Sequence, residues 1–255
     1  MKHRIHIILK CIGLLIFCLL ASNACAVDKF PTRILFLGNS YFYYNNSLHN
    51  HVKGFVEAGL GGQGKDLQYK SATIGGASLD HHPIEWLTEP GRIGVQKPFE
   101  WVVLAGNSAD ALSERGHQAF AQTVRRFHRV IASRGAKTAL YMTHAYVSPH
   151  RQALSANIDK IADMYSGVAK ELNATIIPVG LAFEESYKRR PDLLLHDSHD
   201  GSHPSLLGTY LAAAVTYTTL YGADPVGNGY SYRGKISAKD ALFLQQVARD
   251  IALNR

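Results

Sequence analysis

The chain has 255 residues, 46% of them hydrophobic and 18% charged, which supplies a full apolar core and excludes a disordered chain. Its formal charge of +7 is carried by scattered basic residues, a balance that argues against a dedicated nucleic-acid surface. Arg125, Arg126 and Arg129 cluster on one stretch, but beside Phe120, Val124, Phe127 and Ile131 at helical spacing they read as the solvated face of an amphipathic helix.

The first residues form a basic head with Lys2, Arg4 and Lys10, a short apolar run from Cys11 to Leu20, and small residues at Ala24-Cys25-Ala26. This is the pattern of a secretory signal peptide over residues 1–26, cut after Ala26. The apolar run is well short of the roughly 20 residues needed to cross a bilayer, so no membrane span is expected in the mature chain. Secretion or a periplasmic location follows. A second reading makes Cys25 the modified residue of a lipoprotein, although Ser22-Asn23-Ala24 lacks the leucine usual before such a cysteine. Cleavage removes all three cysteines and three basic residues, leaving no thiols and taking the formal charge from +7 to +4. Residues 27–255 are expected to form a single domain.

Arg33 to Leu37 is a short apolar run that stops at Gly38-Asn39-Ser40, which predicts a buried strand with a serine at its carboxyl end. Leu48, Val52, Phe55 and Val56 then recur at helical intervals up to Gly59, and a glycine-rich loop follows. Leu67 to Ile74 reads as a second strand ending at Gly75-Gly76-Ala77-Ser78, with a short helix over Leu79 to Leu87. Trp101 to Ala105 suits a strand buried on both faces and ends at Gly106-Asn107-Ser108.

The pattern continues as a helix from Gly116 to Ser133, a strand from Thr138 to Thr143, a helix from Ile158 to Leu172 and a strand from Thr175 to Val179. Strands alternating with helices predict an α/β fold, a three-layer α/β/α sandwich around a parallel sheet of about five strands, flavodoxin-like in type. A polar loop from Leu193 to Ser205 contains His196, Asp197, His199, Asp200 and His203. Leu206 to Leu220 is so uniformly apolar that it must be a buried helix, and Ser237 with Asp240 starts a final amphipathic helix.

In such sheets ligands bind beyond the carboxyl ends of the strands, where Ser40 is placed. Alone, Ser40 reads equally as a helix cap, because a hydroxyl is a poor nucleophile until a base takes its proton. Asp200 lies three residues before His203, a spacing that lets the carboxylate fold back onto one ring nitrogen and leave the other free to face a serine. Backbone N–H groups of Ser40 and Gly76, at tight turns after strands, are natural donors to an oxyanion, and Asn107 adds a side-chain amide.

In this order the motifs resemble the four blocks of the SGNH hydrolases, the GDSL lipase and esterase superfamily: Gly38-Asn39-Ser40, Gly76 within Ile74 to Ser78, Gly106-Asn107, and Asp200-Gly201-Ser202-His203. The resemblance implies the SGNH hydrolase fold, with Ser40 as nucleophile, His203 as base, Asp200 as its orienting acid, and Ser40, Gly76 and Asn107 as the oxyanion hole. It implies carbohydrate esters, often acetyl esters, or lipid esters as substrates, and no cofactor. Without a long apolar lid, a small acyl group on a glycan is favoured.

Two departures stand out. Asn39 replaces the family's usual aspartate, and Ala105-Gly106-Asn107-Ser108 lacks the first glycine and final aspartate of block three. Tyr41, Ser108 and His82 are candidates to touch the substrate, although Asp80-His81-His82 also reads as a helix start with exposed histidines. The histidine-rich loop is a weak metal candidate, since the triad already uses two of its residues, and no metal is expected. A non-catalytic glycan-binding module and an O-acyltransferase using the same triad are the alternative functions.

Overall fold

The computed structural model describes residues 30–61 and 66–253. The expected signal peptide, with all three cysteines, lies outside them. No described helix is long and apolar enough to cross a membrane.

Five parallel strands form one sheet: β1 (Arg33–Gly38), β2 (Gln68–Thr73), β3 (Trp101–Leu104), β4 (Lys137–Tyr141) and β5 (Thr175–Ile177), in the order β2-β1-β3-β4-β5. β1 pairs with both β2 and β3, with Ile34 opposite Tyr69 and Trp101. Because the strands are parallel, their carboxyl ends share one edge. The turns after β1, β2 and β3 therefore emerge side by side.

Alternation along β1 sends its side chains to opposite faces. On one face Leu35 and Leu37 join Val102, Leu104 and Leu140 in a cluster with Phe120, Val124 and Phe127 of α4 (Glu114–Ser133) and Ile161, Met164 and Tyr165 of α5 (Asn157–Leu172). On the other, Phe36 meets Phe42 edge-on with ring centroids 5.9 Å apart, and Phe42 meets Tyr141 at 4.9 Å. Phe42 belongs to α1 (Ser40–Tyr43), the single turn that follows β1. α2 (Leu48–Gly59) packs on the same side through Phe55, which contacts Tyr210 and Tyr217 of α7 (Leu206–Tyr221).

α7 has 13 of its 16 residues buried, which its sequence demands and which α2, α6 (Val179–Arg189) and α8 (Ala238–Ala252) provide by packing around it. Its first turn is capped by Ser205, whose Oγ accepts from Gly208 N at 3.1 Å. Gly222, in left-handed backbone at φ 62°, ends it. α8 begins at Ser237, whose Oγ accepts from Asp240 N at 3.1 Å while its hydroxyl donates to Asp240 Oδ2 at 2.7 Å.

Two elements differ from the sequence reading. β5 ends at Ile177 rather than Val179, and α6 starts almost without a linker after Pro178. Val179, Ala182, Phe183 and Ser186 form its buried stripe at helical spacing, and Gly180 allows the first turn to lie against the segment that follows β4: a Cβ there would come 2.3 Å from Thr143 O. The short helix over Leu79 to Leu87 is split into a 3₁₀ turn (Leu79–His81) and α3 (Ile84–Leu87), because Pro83 has no N–H to continue the ladder.

Candidate active site

Ser40 is the first residue of α1, directly beyond β1, and is nearly buried. Asn39 before it caps the turn: its Oδ1 accepts from Tyr41 N at 3.2 Å. Its Nδ2 donates to Ala77 O at 3.2 Å and to Gly106 O at 3.0 Å. One buried amide thereby ties together the turns after β1, β2 and β3. An ionised aspartate, which has no hydrogen to donate, could not make the two outward bonds.

His203, the expected base, arrives from the loop between α6 and α7. That loop is pinched by an antiparallel bridge between His196 and Pro204, with Asp197 N donating to His203 O at 2.7 Å and Ser205 N to Leu195 O at 2.8 Å. Gly201 sits at its tip with φ +63°, and Val147 O lies 2.1 Å from where its Cβ would be. Only glycine fits both conditions. Gly208 permits a similar approach below, since a Cβ would come 2.1 Å from Leu195 O.

Within this loop Asp200 Oδ1 accepts from Ser202 N at 2.8 Å and His203 N at 2.9 Å, while Oδ2 lies 2.6 Å from His203 Nδ1. His203 Nε2 in turn lies 2.8 Å from Ser40 Oγ. With Nδ1–H donating to the carboxylate, Nε2 is the acceptor and the Ser40 hydroxyl donates to it. Partial burial pushes the Asp200 carboxyl up, but hydrogen bonds from His203 and the two backbone N–H groups outweigh it and hold the group below the usual carboxylate range.

Gly76 has φ +68° with nothing near the position of a Cβ, so the space before its backbone is open. Asn107 Nδ2 donates to Gly76 O at 2.8 Å, which fixes the third block against the second, and its Oδ1 accepts from Ala109 N at 3.0 Å. The aspartate missing from block three has a counterpart. Asp110, in the 3₁₀ turn Asp110–Leu112, reaches back so that its Oδ2 accepts from Asn107 N at 2.7 Å. Burial pushes its carboxyl up to about 6. Sequence reading missed it because its offset from the asparagine differs from the family pattern.

The residues expected to touch substrate divide. Ser108 is half-buried and accepts from Tyr146 OH at 2.6 Å, and Tyr146 stacks on His150 with centroids 3.7 Å apart. Tyr41 and His82 pack inside rather than at the cleft surface. Tyr41 hydrogen-bonds Ser202 Oγ at 3.0 Å and stacks on His144, and His82 donates from Nε2 to Gly38 O at 2.9 Å while only 3% exposed. The polar tip of each ring finds a partner, Ser202 Oγ for Tyr41 and the end of β1 for His82, and this draws both inward.

Two histidines support the base loop from beneath. His144 is sandwiched between Tyr41 and Phe183, both at 4.3 Å, and donates from Nε2 to Ser202 O at 2.8 Å. His196 donates from Nε2 to Ala145 O at 2.9 Å, while its Nδ1 accepts from Tyr187 OH at 2.7 Å. Burial holds His144 well below its ordinary value and pulls His196 down to about 4, so both rings are neutral. No cluster of three or more His, Cys, Asp or Glu able to hold a metal ion occurs among the described residues. A shallow groove of about 340 Å³ runs beside the base loop between Tyr44, Leu194, Asp197, His199 and Leu206.

No protein-family model and no curated protein matches the sequence. Solved structures do match. A DUF4886 family protein from Bacteroides uniformis is similar with a TM-score of 0.64 at 17% identity, over 86% of this chain and 94% of that one. A protein from Slackia heliotrinireducens, described as an SGNH hydrolase, is similar with a TM-score of 0.58 at 20% identity, over 74% and 98%. Axe2, an acetylxylan esterase from Geobacillus stearothermophilus, is similar with a TM-score of 0.57 at 16% identity, over 78% and 98%. At such identities the likeness is one of fold, and the fold of this chain is that of the SGNH hydrolases.

Proposed function

We propose that this protein is an exported serine esterase that removes a small acyl group, such as acetyl, from a carbohydrate. The observation that carries the reading is the unbroken hydrogen-bond line from Ser40 Oγ through His203 to Asp200, with steps of 2.8 and 2.6 Å, at the carboxyl edge of the sheet.

His203 Nε2 takes the Ser40 proton as Oγ attacks the ester carbonyl, and the carbonyl π pair moves onto oxygen. The resulting oxyanion is held by the N–H groups of Ser40 and Gly76 and by the amide hydrogen of Asn107 that Gly76 O does not use. As the C–O bond breaks, His203 returns its proton to the departing alcohol. Water, deprotonated by the same ring, then releases the acid from Ser40. Asp200 keeps the imidazole in the tautomer that can accept, and no cofactor is needed.

Support for a glycan ester comes from the likeness to acetylxylan esterases, which are named for that substrate. Exposed Tyr43, in the turn that starts at Ser40, and exposed Ile74, whose N–H donates to Gly38 O, offer apolar surface beside the nucleophile.

The test is a series of p-nitrophenyl esters of increasing acyl length, together with an acetylated xylan, on the wild type and on Ser40→Ala. Turnover is expected to be highest for acetyl and lost in the variant. Undiminished turnover by Ser40→Ala would overturn the nucleophile, and no turnover of any ester would overturn the esterase reading. Export is checked by N-terminal sequencing of the protein recovered outside the cytoplasm, expected to begin at Val27.

A further inference from the structure

His203 stands in a corner of aromatic rings. Tyr44 lies flat on the imidazole, with centroids 4.2 Å and planes 9° apart, and Tyr41 meets it edge-on at 6.0 Å. Tyr44 is backed in turn by Tyr43, at 5.6 Å and 27°. The stack is held from the adjoining residue. Asn45 adopts left-handed backbone at φ 52°, and its Nδ2 donates to Pro204 O, next to the base, and to Thr209 Oγ1, each at 2.8 Å. Its carbonyl accepts from His51 Nε2 at 2.6 Å. The backbone beside Tyr44 is therefore clamped to the backbone beside His203.

A ring face carries the negative part of the aromatic quadrupole and attracts a cation above it. Neutral imidazole gains only packing from such a stack. Imidazolium gains electrostatic attraction as well, and imidazolium forms when the base takes the nucleophile's proton. An interaction that strengthens as the barrier is climbed raises turnover, whereas one of constant strength does not.

We propose that Tyr44 is a positioning residue for the base, whose π face stabilises the His203 imidazolium as the proton leaves Ser40. This rests on the esterase reading above. Neither the fold nor the four motif blocks assigns a role to the residue, and its hydroxyl has no part in the argument: the face of the ring does the work.

The test separates ring electronics from shape. Position 44 is replaced by phenylalanine, by mono- and trifluorophenylalanine, and by leucine, and kcat and KM are measured on p-nitrophenyl acetate beside thermal midpoints. Tyr44→Phe is expected to stay within about twofold of wild type. Progressive fluorination, which drains the π face without changing its shape, is expected to lower kcat by about 3- to 10-fold while KM and the midpoint hold, and Tyr44→Leu to lose at least as much. A kcat indifferent to fluorination, or a loss confined to KM, overturns the proposal even if Tyr44→Leu is damaged by misfolding. A wild type that cleaves no ester, or a Ser40→Ala variant as active as wild type, overturns the esterase reading and this inference with it. A Ser40-dependent esterase blind to the electronics of residue 44 overturns the inference alone.

Discussion

Asn39 uses both ends of one amide: an acceptor to Tyr41 N, and donors to the carbonyls of Ala77 and Gly106. Asn39→Asp would restore the triplet usual in the family, yet here it sets a carboxylate against two carbonyl oxygens. A buried acceptor left facing acceptors costs about 1–3 kcal/mol for each bond lost. Asn39→Asp is expected to lower the unfolding free energy by about 2–6 kcal/mol in urea titration and to cut kcat at least tenfold, because the second and third blocks lose their tie to the first. Stability equal to wild type would sink this account. Ser40, Asp200 and His203 could be read from sequence because the carboxylate and imidazole are three residues apart and the serine ends an apolar run. The partners of Tyr41, His82 and Asn39 could not. The partners are carbonyls, a hydroxyl and a ring from segments far along the chain, and spacing along the chain carries no trace of them.

At the level of elements, the base loop depends on Gly201 and Gly208 as well as on the histidines beneath it. Gly201 combines φ +63° with a carbonyl 2.1 Å from the absent Cβ. Gly201→Ala is expected to displace the Asp200 to His203 turn, lowering kcat on p-nitrophenyl acetate by about tenfold or more, with a left-handed penalty of about 1–2 kcal/mol seen in melting. An alanine variant with unchanged kcat would show that the loop tolerates a different path. The sheet and the long helices were legible in sequence because apolar runs of period two or 3.6 are what buried strands and half-buried helices require. α6 was not. It follows Pro178 with no turn residues to separate it from β5, and Val179 serves the helix while continuing the apolar pattern of the strand.

The molecule as a whole carries several neutral histidines in places that penalise charge. Burial lowers His49 and His196 to about 4 and holds His144 well below its ordinary value. A histidine lowered in the folded state takes its proton more readily when unfolded, so its stabilising effect is complete above about pH 6.5 and is lost as pH falls towards 4. Asp110 acts in the opposite sense: raised to about 6, it favours the folded state as pH falls from 6 towards 4. The histidines lowered by burial, His49, His51, His82, His144 and His196, outnumber the two carboxyls raised by burial, Asp110 and Glu184, and make acid destabilising. Thermal midpoints are expected to be level above about pH 7 and to fall between pH 6.5 and 4, and His49→Leu to flatten that fall by up to about 1.4 kcal/mol per pH unit. A midpoint that stays level to pH 4 would count against the neutral state of these rings.

Ser40 and His203 meet across 163 residues of chain, the one just after the first strand and the other just before the penultimate helix. A ribosome releases the first of these early and the second near the end of its work. Under the proposed chemistry, every prematurely terminated or proteolysed product that lacks the region after α6 is inert, and activity switches on only once the slow, long-range closure of a parallel sheet is complete. For the exported esterase proposed above, that ordering is a built-in delay between synthesis and competence.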